Sequence, residues 1–459
     1  MGLLGRMSSP GRMDPLGRMK SMGWVGRLGD EGREGRLRAA RGGRGMAARG
    51  GRGMAAGLGL ALLAGGCGSV ASQPAAPSPA VPAPLSLSTS TDAAGATWAT
   101  VPMGAASGAD EFWELFVLPG GGQWSLRTPP DIATNGAIVL AAPDAAGPAG
   151  ASGSSGTAGA GGTGQAGGGP LVAGVRPSLD LAFSPITSTS DLGRSWTVSP
   201  PQSGLADVPD ALAAAPGAPG GSGGSGVRLI GLGQDGAVSV TGAADGTWGP
   251  LTTERALASA PAARDCDLTG LTAVAYTPAG SPLLAGTCGR GGRVGVFGET
   301  GGTWHLAAPA LPASLGGQAV RVLRLSRSGH QDVALLEAGA APSISLLAAW
   351  SSDGEHWRLS PVLRAGGSAA VSASFGDGGV GAVLAGDRAE TISGPGSSWR
   401  RLPARPAGRT VTLTLPGAGP IEALAASAGT LTVWRLTGDP GAWVKAQSVK
   451  VPIQYGSSS

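Results

Sequence analysis

The sequence predicts an all-β fold, a β-propeller of four-stranded antiparallel blades, seven in number with six and eight kept open. Three observations carry that prediction. First, a Gly-containing turn followed by Trp, usually with Pro four or five residues later, recurs at Trp98, Trp124, Trp196, Trp248, Trp304, Trp357, Trp399 and Trp443. The spacings from Trp196 onward are 52, 56, 53, 42 and 44 residues. The gap of 72 residues before Trp196 falls to 46 once the Gly/Ser insert 144–169 is set aside. A period of this size marks a repeat architecture. Second, the intervening runs are short, apolar and separated by turns, about four to a unit, which is the make-up of a propeller blade. Third, 84 Gly and 36 Pro among 459 residues supply turns, while 42% apolar and 14% charged residues are wrong for a chain disordered throughout. The same Gly, Pro and β-branched content excludes a helical solenoid.

Along the chain, the first element is a basic leader. Residues 1–53 hold twelve Lys/Arg and four acids, a net +8, so the remaining 21 basic and 25 acidic residues leave −4. The formal charge of +4 therefore belongs to the leader, which has no apolar period and is expected to be unstructured. Translation starting at Met46 or Met54 is one expectation for it. A nucleic-acid arm is the alternative, and it has only Trp24 as an aromatic. No nucleic-acid partner is expected.

Next comes a signal peptide over 46–66. Met54–Ala64 is an eleven-residue apolar run behind Arg49 and Arg52, the length of an h-region and too short to span a bilayer. The run ends Leu63-Ala64-Gly65-Gly66-Cys67, which resembles the lipobox of bacterial lipoproteins. The resemblance implies cleavage before Cys67, lipidation of Cys67 and attachment to the membrane through it. The usual Leu three before the Cys is Ala64 here. An ordinary signal peptide with a stray Cys is the other reading. Residues 67–97, with five prolines among Ala and Ser, are expected to be a semi-extended tether. The expected address is extracytoplasmic, on the outer leaflet of the cell membrane. Arg outnumbers Lys 30 to 3 and Gly and Ala are abundant, from which a high-GC bacterium, an actinobacterium, is expected as the source. Cys266 and Cys288 are the only other thiols, and export favours their pairing as a disulfide, with two reduced buried Cys as the alternative.

The ring is expected over 98–459. One unit reads as strands Thr269–Thr277, Pro282–Thr287, Val294–Gly298 and the start at Trp304. Another reads as Ser368–Phe375, Val380–Ala385, Thr391–Ser393 and Trp399, with 386–390 as a turn. Six full units end at Trp196 through Trp443. The fragment Trp98–Trp124, with one clear strand at 111–118, and the tail 444–454 are expected to form a seventh blade together. Gly/Ser-rich inserts at 144–169 and 214–226 fall between first and second strands.

Thr189-Ser-Asp191-Leu-Gly193-Arg-Ser-Trp196 resembles the Asp box of sialidase-like (BNR repeat) propellers, and Ser351-Ser-Asp353-Gly354-Glu-His-Trp357 is a version one residue shorter. Asp92…Trp98 and Asp245-Gly246-Thr-Trp248 are more degraded versions. The resemblance implies a structural turn between third and fourth strands: the Asp caps backbone N–H groups, the Gly takes a positive φ and the Trp packs between strands. It also implies that ligand meets the opposite face, built from second-to-third-strand loops and inter-blade connections. That face is expected to carry Arg176, Arg290, Arg293 and Arg388, together with Asp387, Arg255, Arg264, Arg321 and Arg364.

Catalytic signals are sparse. A sialidase resemblance implies three Arg, a Tyr nucleophile assisted by Glu, and an Asp acid/base. The chain has only Tyr276, in an apolar strand, and Tyr455 in the tail, and no Arg-Ile-Pro segment precedes the first blade. There is no P-loop. Three His and three Cys are too few and too scattered for a metal site, and no cofactor is expected. Gly289-Arg290-Gly291-Gly292-Arg293 has the composition of an RGG segment, a reading that does not suit an exported loop next to a disulfide. The leading expectation is a lipid-anchored, non-catalytic binding module for a protein or cell-surface glycan. The alternatives are a sialidase-like glycan-active enzyme and an extracytoplasmic assembly factor.

Overall fold

A computed structural model describes residues 89–452, apart from 93–94, 105–110, 131–136, 144–170, 177–185, 199–208, 217–226, 242–246, 368–369, 377–378, 409, 418, 428 and 439–440. The chain divides into two units, Met1–Ala71 and Ser72–Ser459, and every described residue belongs to the second. The leader, the signal peptide, Cys67, both Gly/Ser inserts and Tyr455 lie outside the described residues, except that Ala214, Ala215 and Pro216 at the edge of the second insert are described.

Runs of Val, Leu, Ile, Ala and Thr between Gly and Pro turns pair into antiparallel meanders, each strand hydrogen-bonded to the next in sequence. The first meander is β1 (Thr89–Thr91), β2 (Thr97–Gly104), β3 (Glu111–Leu118) and β4 (Ser125–Leu126). The second is β5 (Ala137–Ala141), β6 (Leu171–Arg176), β7 (Ile186–Thr189) and β8 (Thr197–Val198). The third is β9 (Pro209–Ala214), β10 (Leu229–Gly233), β11 (Ala237–Thr241) and β12 (Trp248–Thr253). Two short helices follow, α1 (Glu254–Ser259) and α2 (Pro261–Arg264), with Thr253 capping the first through its hydroxyl.

The next two meanders share one nine-stranded sheet: β13 (Leu268–Tyr276), β14 (Pro282–Cys288), β15 (Gly295–Thr300) and β16 (Thr303–Leu306), then β17 (Val320–Ser328), β18 (Gln331–Ala338), β19 (Ile344–Ser351) and β20 (Trp357–Leu359). They are fused where β14 also pairs with β17, Thr287 opposite Arg321 and Cys288 opposite Val320. The ninth strand, β21 (Leu363–Gly366), adds to β19. The last two sheets are β22 (Ala370–Phe375), β23 (Gly381–Ala385), β24 (Arg388–Ile392) and β25 (Arg400–Arg401), and β26 (Thr410–Thr414), β27 (Glu422–Ser427), β28 (Thr430–Thr437) and β29 (Ala442–Lys450). The described fold is thus all-β, built of four-stranded antiparallel units.

The apolar core lies between meanders rather than inside one. Trp98 and Leu115 meet Ile138 and Leu171 at the first junction, Val139 and Val172 meet Leu212 and Leu229 at the second, and Ile230 and Leu232 meet Leu271 and Leu284 at the third. The next three junctions follow the same plan. A seventh cluster joins the last meander to the first, with Leu424, Leu431 and Val433 packed on Ala99, Val101 and Phe116. The chain therefore closes on itself, and no apolar sheet face is left open at the seam.

The recurring Trp and Pro are the two halves of one joint. Trp357 Nε1 donates to the carbonyl of Ala307 at 2.9 Å, Trp399 Nε1 to Pro361 at 2.8 Å and Trp443 Nε1 to Pro403 at 3.3 Å. Each Trp lies within one residue of the start of a fourth strand and hydrogen-bonds the chain just beyond the fourth strand of the preceding meander. The closing seam is wired differently. Trp124 Nε1 donates to Glu422 Oε2 at 2.7 Å, and the Gln447 amide bridges the Trp124 backbone N–H (2.9 Å) and carbonyl (2.7 Å).

Five expectations are corrected. The first described strand starts at Thr89, inside the stretch 67–97 expected as tether. The two terminal fragments do not share a blade: residues 89–126 complete a four-stranded sheet alone, and the tail is the outer strand β29, which includes Trp443 and pairs with β28 along its length. Trp98 opens no fourth strand; it lies in β2, fully buried against the neighbouring meander. Residues 386–390 are not one turn: Gly386 at φ 60° and Asp387 form a two-residue connection, so Arg388 and Glu390 lie in β24. The second insert is also shorter than read, since Ala214 ends β9 and Ala215 N bonds Arg228 O at 2.8 Å.

Candidate functional site

Two turns between third and fourth strands share one construction. After β7, the Thr189 hydroxyl donates to Asp191 Oδ1 at 2.8 Å and accepts Gly193 N–H at 3.0 Å. Asp191 in turn accepts Ser195 N–H at 3.0 Å and the Ser195 hydroxyl at 2.6 Å. Gly193 has φ 74°, and a Cβ there would sit 2.7 Å from Arg127 Cβ, so only Gly fits. Trp196 packs edge-on against Trp98, ring centroids 6.4 Å apart.

After β19, Ser351, Asp353 and Gly354 repeat the pattern. The Ser351 hydroxyl donates to Asp353 Oδ1 at 2.9 Å and accepts Gly354 N–H at 2.9 Å. Asp353 accepts Glu355 and His356 N–H at 2.8 Å each. Gly354 has φ 81°, and a Cβ would meet Thr277 Cγ2 at 2.6 Å. Asp92 uses similar chemistry elsewhere: it accepts Ala96 N–H and Trp98 Nε1 at 3.0 Å each, but in the turn between a first and a second strand. Asp245 and Gly246 lie outside the described residues.

These carboxylates are committed to their turns. The Ser195 hydroxyl, then the Ser195 N–H, hold Asp191 well below the usual carboxylate range. The His356 N–H, then its imidazole, do the same for Asp353, and the Asp353 carboxylate beside Nδ1 (2.7 Å) raises His356 above its ordinary 6.5. Asp353 stabilises the turn above its ordinary value of 3.8, and that support is lost only as pH falls through its depressed value. The contribution of His356 is complete below 6.5 and is lost as pH rises through its raised value. The turn is thus held most firmly from about pH 4 to 6.5. The His356 ring should titrate by NMR with a midpoint above 6.5, and Asp353→Asn should bring it back; a midpoint indifferent to that substitution would refute the pairing.

The second-to-third-strand turns and inter-meander connections form the opposite face. Cys266 and Cys288 are disulfide-bonded, Cα atoms 5.1 Å apart and both fully buried. The disulfide sits at the root of the β14–β15 loop. There Gly289 N bonds Asp267 O at 2.8 Å, Arg290 N bonds Cys266 O at 3.1 Å and Gly292 N bonds Gln318 O at 2.9 Å. The glycines of this loop answer to close backbone approach: a Cβ on Gly291 would lie 2.7 Å from Gly317 and one on Gly292 2.4 Å from Gly316 O. Arg290 and Arg293 stand exposed on this stitched loop. Arg388 is tied down, donating to Glu390 Oε1 at 2.9 Å and to Arg364 O at 3.2 Å. Arg321 is likewise paired with Glu337 at 2.8 Å. Arg176 ends β6, and its side chain lies outside the description. Only Arg290 and Arg293 share a loop; no hydrogen bond or ion pair among the described residues joins the four candidates.

Tyr276 is 2% exposed in the junction between the third and fourth meanders, with the Arg228 guanidinium 5.0 Å from its ring centroid. Burial pushes its phenol up from the ordinary value, away from nucleophilic use at neutral pH. Among the described residues no group of three or more His, Cys, Asp or Glu is placed to hold a metal ion, and no helix is long and apolar enough to cross a membrane.

Sequence reasoning missed a polar cluster at the centre of the ring, where Arg324 of β17 meets Thr89 of β1 and Ala373 of β22. Its only sequence signal is a charged residue inside the apolar run Val320–Leu325. The Glu422–Trp124–Gln447 seam was missed too.

No family model and no curated protein matches the chain. Among solved structures it is similar to the β-propeller domain of Myceliophteria thermophila Cps50 (Swd1), at 9% identity over 76% of this chain and 96% of that one, TM-score 0.46. It is also similar to the six-bladed β-propeller fungal lectin of Aleuria aurantia, at 12% identity over 80% and 95%, TM-score 0.36. A third is YCF48 bound to D1 peptide, at 13% identity over 73% and 87%, TM-score 0.39. The likeness is loose, and the fold rests on the strand pairing described above.

Proposed function

We propose that this chain is a lipid-anchored, extracytoplasmic β-propeller of seven blades, the nine-stranded sheet counting as two, that binds a protein or cell-surface glycan without chemistry. The observation that carries the binding reading is the β14–β15 loop. It presents two exposed guanidinium groups, Arg290 and Arg293, from a backbone fixed by a disulfide and three main-chain hydrogen bonds. Guanidinium groups suit carboxylate or sulfate groups, and the fixed backbone removes the loop-ordering part of the binding cost. The non-catalytic reading is supported by the burial of Tyr276 and by the use of Asp191 and Asp353 as turn caps in Asp-box-like turns. The anchor is supported by the run Met54–Cys67.

Two experiments test these parts separately. The full chain should bind carboxylated or sulfated glycans, or an acidic surface protein, and lose that binding in Arg290→Ala/Arg293→Ala without hydrolysing a fluorogenic sialoside. Sialoside turnover would select the enzyme reading. In a bacterial host, Cys67→Ser should make unlipidated precursor accumulate, and a protein that stays membrane-bound with no such precursor would remove the anchor.

A further inference from the structure

Neighbouring meanders touch around the axis through their first strands, β5 with β9, β9 with β13, β13 with β17 and β22 with β26. In the six later meanders these strands are five to nine residues long. In the first meander the corresponding strand, β1, is described over three residues, Thr89–Thr91, paired with Thr97–Ala99 of β2. Yet β1 reaches furthest. It contacts β22, which belongs to a sheet that is not its neighbour in the ring.

The contact is a recognition cluster around one residue. Arg324, from β17, donates through Nη2 to the carbonyl of Thr89 and through Nη1 to its hydroxyl at 3.3 Å. The same Nη1 donates to Ala373 O at 2.8 Å, and Nε to Ser326 Oγ at 3.2 Å. The Thr89 hydroxyl donates onward to Ser374 Oγ at 3.2 Å, and that oxygen also accepts Leu415 N–H at 3.1 Å. Two other meanders therefore converge on the main chain and hydroxyl of a single threonine, which is 5% exposed. The guanidinium is desolvated, which draws Arg324 down to about 10, still charged at neutral pH. A cation placed there gives up part of its hydration to the groups facing it, and Thr89 offers two of them.

We propose that the centre of the ring is a binding site for an extended, hydroxyl-bearing peptide, filled in cis by the chain's own strand β1, with Arg324 reading the threonine at position 89. The strand adds to the inner edge of β2 by main-chain pairing, and the hydroxyl supplies the selectivity. The sequence before it, Leu85-Ser-Leu87-Ser, continues the two-residue alternation that ends Thr89-Ser-Thr91. The site is separate from the Arg290/Arg293 loop, which lies on the β14–β15 connection.

Hydrogen exchange on the full chain tests this. Thr89→Val keeps shape and removes the hydroxyl. It should raise exchange at residues 89–91 and 97–99 about tenfold while β18 and β19 keep their protection. An excess of the peptide Leu-Ser-Leu-Ser-Thr-Ser-Thr-Asp should restore protection at 97–99 in that variant, and the same peptide with Val in place of the first Thr should not. Unchanged exchange in Thr89→Val, loss of protection throughout the ring, or no discrimination between the two peptides would each overturn the proposal.

Discussion

Glu422→Ala is expected to lower stability by about 2–3 kcal/mol, through loss of charge-assisted hydrogen bonds and an orphaned indole N–H. Glu422 is 1% exposed and accepts three bonds: from Trp124 Nε1 at 2.7 Å and from Arg435 Nε and Nη2 at 3.0 and 2.8 Å. The Arg435 side chain is 47% exposed and can recover water, so it adds less than a fully buried partner would. Trp124, 3% exposed, cannot. Glu422→Gln keeps an acceptor for the indole and should cost about half as much. A urea midpoint at constant m reads the difference. Equal losses in Ala and Gln would mean that the charge on Arg435, not the seam tryptophan, sets the effect.

Cys266→Ser/Cys288→Ser should cost about 3 kcal/mol on the chain-entropy account of a cross-link; here it joins residues 22 apart. The effect should also be local. With the bridge gone, the loop carrying Arg290 and Arg293 keeps its three main-chain bonds but loses its buried root, so exchange at 289–293 should rise more than in β18 or β19. A midpoint unchanged by reduction would show that burial alone holds the pair. A fall in stability with no local change at 289–293 would detach the binding loop from the disulfide.

Much of the architecture was legible because each joint is encoded twice nearby. A Trp and the carbonyl it seeks lie 38 to 50 residues apart, within one repeat, so periodicity exposes the joint. The strands near Tyr276 and the two Asp turns were readable for the same reason: Gly at positive φ and alternating apolar runs are local features. Trp98 misled because Gly95-Ala-Thr-Trp98 carries the local pattern while strand order is not local. Its hairpin partner is β3, with Trp98 opposite Val117. The tail was readable as a strand, but its partner β28 was not. Arg324 and Glu422 were beyond reach because their partners lie 235 and 298 residues away. A period of two tells which face a side chain takes and nothing about which sheet it will meet.

The placement of β1 bears on how the ring carries a mechanical load. A pull applied from the N-terminal side acts on a strand held at the axis by Arg324 and flanked by β2, so several hydrogen bonds resist it together, in shear. A pull from the C-terminal side meets β29, an outermost strand whose main-chain pairing among the described residues is with β28 alone, so it opens one bond at a time from Lys450 inward until it reaches Gln447, which ties it to Trp124. The same fold is tough toward one end and peelable from the other.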